Sequence, residues 1–191
     1  MQLIFATHNK NKIIEIKSLV NGHINLLSLN DIHFTDEINE TAKSLEGNAL
    51  LKAQTIYRET KINCFADDSG LLVDALNGEP GVYSARYAGK EKNDEANMVK
   101  ILNHLKGIEN RKAQFKTVLA LIIDGKEHIF EGTIDGVITT KKKGINGFGY
   151  DPIFLPNGHE KTFAEMTLAE KSKISHRAIA LKKMTDFINS I

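Results

Sequence analysis

Cysteine is almost absent. Cys64 alone excludes an intramolecular disulfide and a Cys-rich zinc site, and it fits a reducing compartment. An excess of either charge is also lacking. Lys and Arg number 25 against 24 Asp and Glu, a formal net charge of +1. A dedicated nucleic-acid binder is usually far more basic, so no nucleic-acid partner is expected. Any grip on an anionic ligand must come from local clusters of Lys and Arg. No apolar run approaches the length of a membrane span, so no membrane partner is expected either. Residues Leu3-Ile4-Phe5-Ala6 are too short for the core of a signal peptide and lack a basic leader. The expected location is cytoplasmic. There is no internal repeat, no low-complexity tract and no linker rich in Pro, Gly or Ser. A chain of 191 residues therefore suits a single domain, 1–191, with room for two lobes.

Hydrophobic residues make up 41% and charged residues 26%, close to the globular average. A chain of this length buries a substantial core without disulfides or a structural metal. Leu3–Ala6 reads as a short buried strand, followed by a helical pattern through Val20. A second strand is expected near Ile24–Leu29. Leu45, Ala49, Ala53, Ile56 and Tyr57 recur at helical spacing and predict an amphipathic helix over Ser44–Glu59. Ile62–Ala66 reads as a strand running into Asp67-Asp68-Ser69-Gly70, with Leu71–Val73 extended beyond and a turn at Glu79-Pro80-Gly81. Asn93–Leu105 is helical, capped by Asn93 or Asp94. Gln114–Ile123 and His128–Thr139 are long strands joined by the hairpin signal Asp124-Gly125. Thr167-Leu168-Ala169-Glu170 is a capping box. Ser175 is a candidate cap for a last helix, with Ala178, Leu181, Thr185 and Ile188 on one face. Strands feeding helices at both ends, with a hairpin between, give an α/β fold around a mixed sheet.

Four segments carry candidate chemistry. Ala6-Thr7-His8-Asn9-Lys10-Asn11-Lys12 joins a strand to a helix, where backbone N–H groups and two lysines suit an anion. The glycines of a Walker loop are missing, and the same residues also make an ordinary turn capped by Asn9. Asp67 and Asp68 stand at a strand end. Successive strand residues face opposite ways, so one is suited to a hard cation or a water and the other to fixing the loop. Asp-Asp-Ser-Gly also makes a plain turn.

Gly144 to Pro152 holds three glycines, two of them flanking Phe148. That pattern either exposes an aromatic ring for stacking on a base, worth about 1–3 kcal/mol, or plugs a turn. Lys171, Ser175, His176 and Arg177 form a basic cluster around a helix start, suited to phosphate or to a carbonyl-bearing base; a solvated charged face looks similar. Glu40 and Lys52 carry no local signal, and Lys52 on its helix most simply points to water. Arg86 is as readily structural. Of seven histidines, only His176 has a functional argument.

Taken in order, these blocks resemble the inosine triphosphate pyrophosphatase family. The resemblance runs from Ala6–Lys12 through Leu45–Ala53, Ala66–Leu71, Pro80–Tyr87 and Gly147–Pro152 to Ala164-Glu165-Met166, Glu170-Lys171 and Ser175-His176-Arg177. It spans nearly the whole chain. It implies an elongated, two-lobed α/β fold around a long mixed sheet with flanking helices, an active-site cleft between the lobes, and a homodimer. It also implies that Thr7, Asn9 and Lys12 bind phosphate. Glu40 falls at the metal-side acid, Lys52 at the helix lysine, and Asp68 at the metal ligand or base. Ser69, Gly149 and Tyr150 join the substrate-binding set. Phe148 and Asp151 match the base-stacking and base-reading positions, and Lys171, His176 and Arg177 the C-terminal substrate set. Two positions depart. His8 stands where many members have glycine, which bears on how closely the backbone approaches a phosphate. Gly47 stands where glutamate is common, with Glu46 one step away.

The expected activity is Mg²⁺-dependent hydrolysis of non-standard purine nucleoside triphosphates (ITP, dITP, XTP) to monophosphate and pyrophosphate, with one or more Mg²⁺ per subunit. Glu40 and Asp68 would hold the metal, Asp68 would activate water, and His176 or Arg177 would donate to a 6-oxo purine. Two alternatives stand beside it: a pyrophosphatase for modified pyrimidine triphosphates, and a nucleotide-binding sensor without turnover.

Overall fold

A computed structural model describes residues 1–20 and 24–191. The first half runs β1 (Gln2–Phe5), α1 (Lys10–Lys17), β2 (Asn25–Ser28), α2 (Leu45–Thr60) and β3 (Cys64–Val73). The second half runs α3 (Asp94–His104), β4 (Lys112–Ile123), β5 (Lys126–Ile138), β6 (Phe154–Pro156), α4 (Leu168–Lys171) and α5 (His176–Ile188). The strands hydrogen-bond in the order β2-β1-β3-β4-β5-β6. β1 is parallel to β2 and β3, whereas β5 is antiparallel to β6. The mixed sheet and α/β class expected from the sequence are what the chain forms. Among the described residues no helix is long and apolar enough to cross a membrane.

The chain divides into two compact units. The first comprises Met1–Asp68, Thr117–Gly132 and Arg177–Ile191; the second comprises Ser69–Lys116 and Thr133–His176. Each has its own core. In the first, Leu3, Phe5, Phe65, Leu119 and Leu121 from the strands pack with Ile16 of α1 and with Ala180, Leu181, Met184 and Ile188 of α5. In the second, Leu71, Val73, Phe115 and Ile138 pack with Met98 and Ile101 of α3 and with Phe154 and Phe163. Burying each large apolar side chain stabilises the fold by about 1.5–3 kcal/mol.

Local signals explain most boundaries. Asn93 caps α3 by accepting from the Ala96 N–H, and Ser44 caps α2 by accepting from the Gly47 N–H. The Thr167/Glu170 capping box is formed, though the helix it starts is only four residues long. Asp124 and Gly125 both lie in the left-handed region, at φ 51° and 76°, as a two-residue hairpin turn requires.

Three expectations need correction. α1 stops at Lys17, because the Ser18 N–H closes the last turn on Ile14 and Ile16. The buried stripe of α5 uses Ala180 and Met184 rather than Ala178 and Thr185. The helix is rotated so that Arg177, Leu181, Met184 and Ile188, at intervals of four, three and four, face inward. Third, Asp67-Asp68-Ser69-Gly70 is not a turn. β3 runs unbroken through it, almost wholly buried, as a central strand covered on both faces is.

Candidate active site

The first unit gathers the acidic and basic residues singled out at the N-terminal end. Asn9 sits at the N-cap of α1 in extended backbone. Its Oδ1 accepts from the N–H groups of Asn11 at 2.9 Å and Lys12 at 3.2 Å, while Thr7 Oγ1 accepts from the Asn9 N–H. Two helix-start donors read as available to an anion are therefore satisfied by the cap itself, because Asn at this position competes for them. His8, the departure from glycine, has its ring engaged by the Asp36 carbonyl at 3.0 Å and stacked on Phe34.

α1 aims Lys12 at β3. Its ammonium bonds Asp67 Oδ1 at 2.9 Å. The other Asp67 oxygen accepts from Arg177 Nε at 3.2 Å, and Arg177 Nη1 pairs with Glu15. Asp67 is fully buried and Arg177 is 1% exposed. Burial alone would raise the Asp67 carboxyl pKa, yet Lys12, Arg177 and Lys52 overcome it and hold the group well below the usual carboxylate range.

Asp68, pointing the opposite way along the strand, meets different partners. Asn48 Nδ2 donates to Asp68 Oδ2 at 3.1 Å, and Asn48 is itself oriented by accepting from the Ala42 N–H. Lys52 Nζ lies 2.6 Å from Glu40 and 3.8 Å from Asp68. Lys52 is buried and does not point to water. It shares a helix stripe with Asn48 and Ile56, four residues to either side, and the nearby carboxylates repay its desolvation. Burial raises the Asp68 pKa, with Lys52 and Lys12 pulling down and Glu40 pushing up again. Burial works against the charged Lys52, but Asp68, Asp67 and Glu40 outweigh it and raise its pKa.

The second unit builds the glycine-rich loop. Gly147 has φ +75°, and a Cβ there would fall 2.0 Å from Asp151 Oδ2, so only glycine lets the carboxylate fold beneath the loop. That oxygen accepts from the Phe148 N–H at 2.9 Å and from Lys171 Nζ at 2.5 Å. Lys171 also lies over the Phe148 ring, 5.1 Å from its centroid, within cation–π range. Phe148 and Gly149 are half-buried, and Tyr150 is buried with its hydroxyl donating to the Ser84 carbonyl. His176 stacks on Phe115 at 4.6 Å and 7°. Ser69 is half-buried on β3 directly after Asp68. Arg86 is exposed.

The C-terminal basic set does not stay together as one cluster. His176 packs with the aromatic residues of the second unit, and Arg177 reaches the buried carboxylates of the first. Adjacent helix residues diverge by about 100°, so their common position in sequence does not give them a common environment.

The Ham1 family profile matches residues 3–187. The chain belongs to the Ham1 family. Over 189 residues it is 55% identical to the dITP/XTP pyrophosphatase of Christiangramia forsetii, covering 99% of this chain and 100% of the relative. The solved Ham1 protein of Staphylococcus aureus superposes with a TM-score of 0.90 at 39% identity, covering 100% of this chain and 99% of that one. The HAM1 protein of Coxiella burnetii gives 0.90 at 35% identity, with both chains covered completely. The resemblance read from the motifs is thus borne out over the whole Ham1-family chain. Pyrophosphatase relatives also make dependence on a divalent metal the general expectation.

Sequence reasoning missed two residues of this Ham1-family protein. Asn48 could have been found, since it lies four residues before Lys52 on the apolar stripe of α2. Glu15 gave no signal, because its partner Arg177 is 162 positions away. The Gly47 departure has a steric cause: a Cβ there would meet Ala42 Cβ at 2.7 Å. Glu46 is exposed in the first turn of α2.

Proposed function

We propose that this Ham1-family protein hydrolyses ITP, dITP and XTP to the monophosphate and pyrophosphate, using Mg²⁺. The observation that carries the reading is the carboxylate pair Glu40 and Asp68 held on Lys52, beside Lys12 on Asp67. Mg²⁺ takes one or two carboxylates plus substrate phosphates and keeps several waters. Glu40 and Asp68 fit that donor set, being close enough for Glu40 to raise the Asp68 pKa. Glu15, Glu40, Asp67 and Asp68 interleave with Lys12, Lys52 and Arg177. When bound, the cation offsets charge on the phosphate oxygens and the leaving pyrophosphate.

The protein's own residues supply the rest. Asp68 accepts a proton from water as the water oxygen bonds to the α-phosphorus. The bond from that phosphorus to the bridging oxygen breaks, and pyrophosphate leaves with the oxygen. A carboxyl pKa raised by burial suits this role as general base, and the Asn48 amide fixes its orientation. Phosphate handling is assigned to Thr7, Asn9, Lys12, Lys52 and Ser69. Base recognition is assigned to Phe148, Gly149, Tyr150, Asp151, Lys171 and His176. Because the Arg177 guanidinium is committed to Glu15 and Asp67, Arg177 is a positioning residue for Asp67. Donation to the 6-oxo group of a purine is assigned to His176 and Lys171. Adenine presents an amine there instead, and a buried mismatch of that kind discriminates strongly.

The substrates belong to the nucleotide pool, which favours a cytoplasmic setting, and the working unit is proposed to be a homodimer. A panel of ITP, dITP, XTP, ATP, GTP and dUTP with Mg²⁺ tests the reading, with monophosphate, pyrophosphate and orthophosphate quantified. Pyrophosphate chiefly from ITP, dITP and XTP is expected. Equal rates on all purines would refute the selectivity, and binding without product would refute the hydrolase.

A further inference from the structure

The loop that carries Phe148 is fastened at a point outside every motif considered so far. The Gly149 N–H donates to Asp94 Oδ2 at 2.7 Å, a contact spanning 55 positions of sequence. Asp94 is the first residue of α3, and its neighbour Glu95 pairs with Lys142, seven positions before Gly149. The first turn of α3 therefore grips the loop on both sides of Phe148. The need for such a grip is physical. Gly144, Gly147 and Gly149 all lie at positive φ, and a chain so rich in glycine loses much conformational freedom when ordered. On the inner side, Asp151 bonds the Phe148 N–H and Lys171. Asp94 supplies the outer hold.

We propose that Asp94 is a positioning residue for base binding: by holding the Gly149 amide it keeps Phe148 in the stance that receives the base. The inference rests on the reading of Phe148 as the stacking platform. A carboxylate accepting from an N–H makes a bond about twice as strong as a neutral one. Glu95 and Lys142 are 58% and 43% exposed at their side chains, so their pair contributes little. Asp94 should dominate. If its loss leaves the loop in place about one-tenth of the time, the apparent affinity falls about tenfold. The turnover number should hold, because the Asp94 contact does not involve Asp68, Lys52 or Lys12.

The test is a double-substitution cycle on dITP hydrolysis. Asp94→Ala should raise KM about tenfold with kcat within twofold. Asp94→Asn, which retains an acceptor, should recover most of the affinity. Glu95→Gln should change KM by less than about twofold. In a Phe148→Ala background, Asp94→Ala should change KM by less than about twofold, since it acts through the missing ring. An unchanged KM in Asp94→Ala, or an equal rise with and without Phe148, overturns the proposal. A second measurement separates this failure from failure of the activity itself. Amide hydrogen exchange at Gly149 should accelerate in Asp94→Ala whatever the enzyme hydrolyses, and unchanged exchange would exclude the tether. A wild-type protein inert on the whole triphosphate panel would instead refute the proposed reaction.

Discussion

Replacing Arg177 by Met separates two accounts of the same residue. If its guanidinium holds Asp67 and Glu15, its loss leaves two carboxylates short of a cation in a region where Asp67 is 0% and Glu15 6% exposed. Breaking a buried ion pair costs about 3–5 kcal/mol. Asp67 retains Lys12 at 2.9 Å, so the lower end, about 3 kcal/mol, is expected. In a chain of this length each kcal/mol moves Tm by about 2–4 °C, which gives a fall of roughly 10 °C. The chain contains no Trp, so far-UV circular dichroism is the suitable probe of melting. Lys182→Ala is the control. Its pair with Asp186 is 76% and 62% exposed, and such a pair contributes only about 0.3–0.5 kcal/mol.

The sign with pH also follows. The wild-type Asp67 pKa is depressed, so its stabilisation is complete above the unfolded carboxyl value and is lost as pH falls through the folded one. The deficit of Arg177→Met should therefore shrink in acid. If the variant melted with the Lys182→Ala control while only KM for ITP rose, the buried-triad account would be wrong and direct base contact right.

Asp68→Asn removes the base while preserving most of the shape, so kcat should fall by a factor of about 10²–10⁴ with Tm within a few degrees; near-normal turnover would remove Asp68 from the mechanism. Gly147→Ala drives a Cβ into Asp151 Oδ2 and should raise KM for dITP severalfold by disordering the Phe148 stance; wild-type KM would show that the loop accommodates a side chain. Glu170 is held down to about 2 by the Thr167 N–H and then by Lys161. Its stabilisation is whole above the unfolded value of about 4.3 and disappears as pH falls to about 2. Wild type should then lose more Tm than Glu170→Gln between pH 5 and 2, and parallel acid-melting curves would contradict the capping role.

What was legible in the sequence was local. Asn93 and Thr167 announce helix starts because their side-chain oxygens accept the backbone N–H three residues on, and Asp124-Gly125 announces a hairpin because few residues accept two left-handed positions in a row. Partnership across the chain was not legible. The bond from Arg177 to Glu15 spans 162 positions, and no spacing rule reaches that far. The formal charge of +1 likewise gave no sign of the ion pairs joining Asp67 to Lys12 and Arg177.

Strand alternation made the parting of Asp67 and Asp68 legible in advance, whereas His176 and Arg177 were grouped by adjacency and geometry separated them. Asp67 and Asp68 alternate across a strand, so one is absorbed by Lys12 and Arg177 while the other reaches Asn48, with Lys52 and Glu40 close by. His176 and Arg177 diverge around a helix, one into aromatic packing and the other into a buried ion triad. In both pairs one member is fixed by structural partners. The depressed pKa of Asp67 and the raised pKa of Asp68 express that division. A carboxylate locked between two cations is a poor base, and one held up by burial beside a second carboxylate is a better one. The role proposed for Asp68 therefore rests on the face of β3 it occupies and not on the Asp-Asp pair as such.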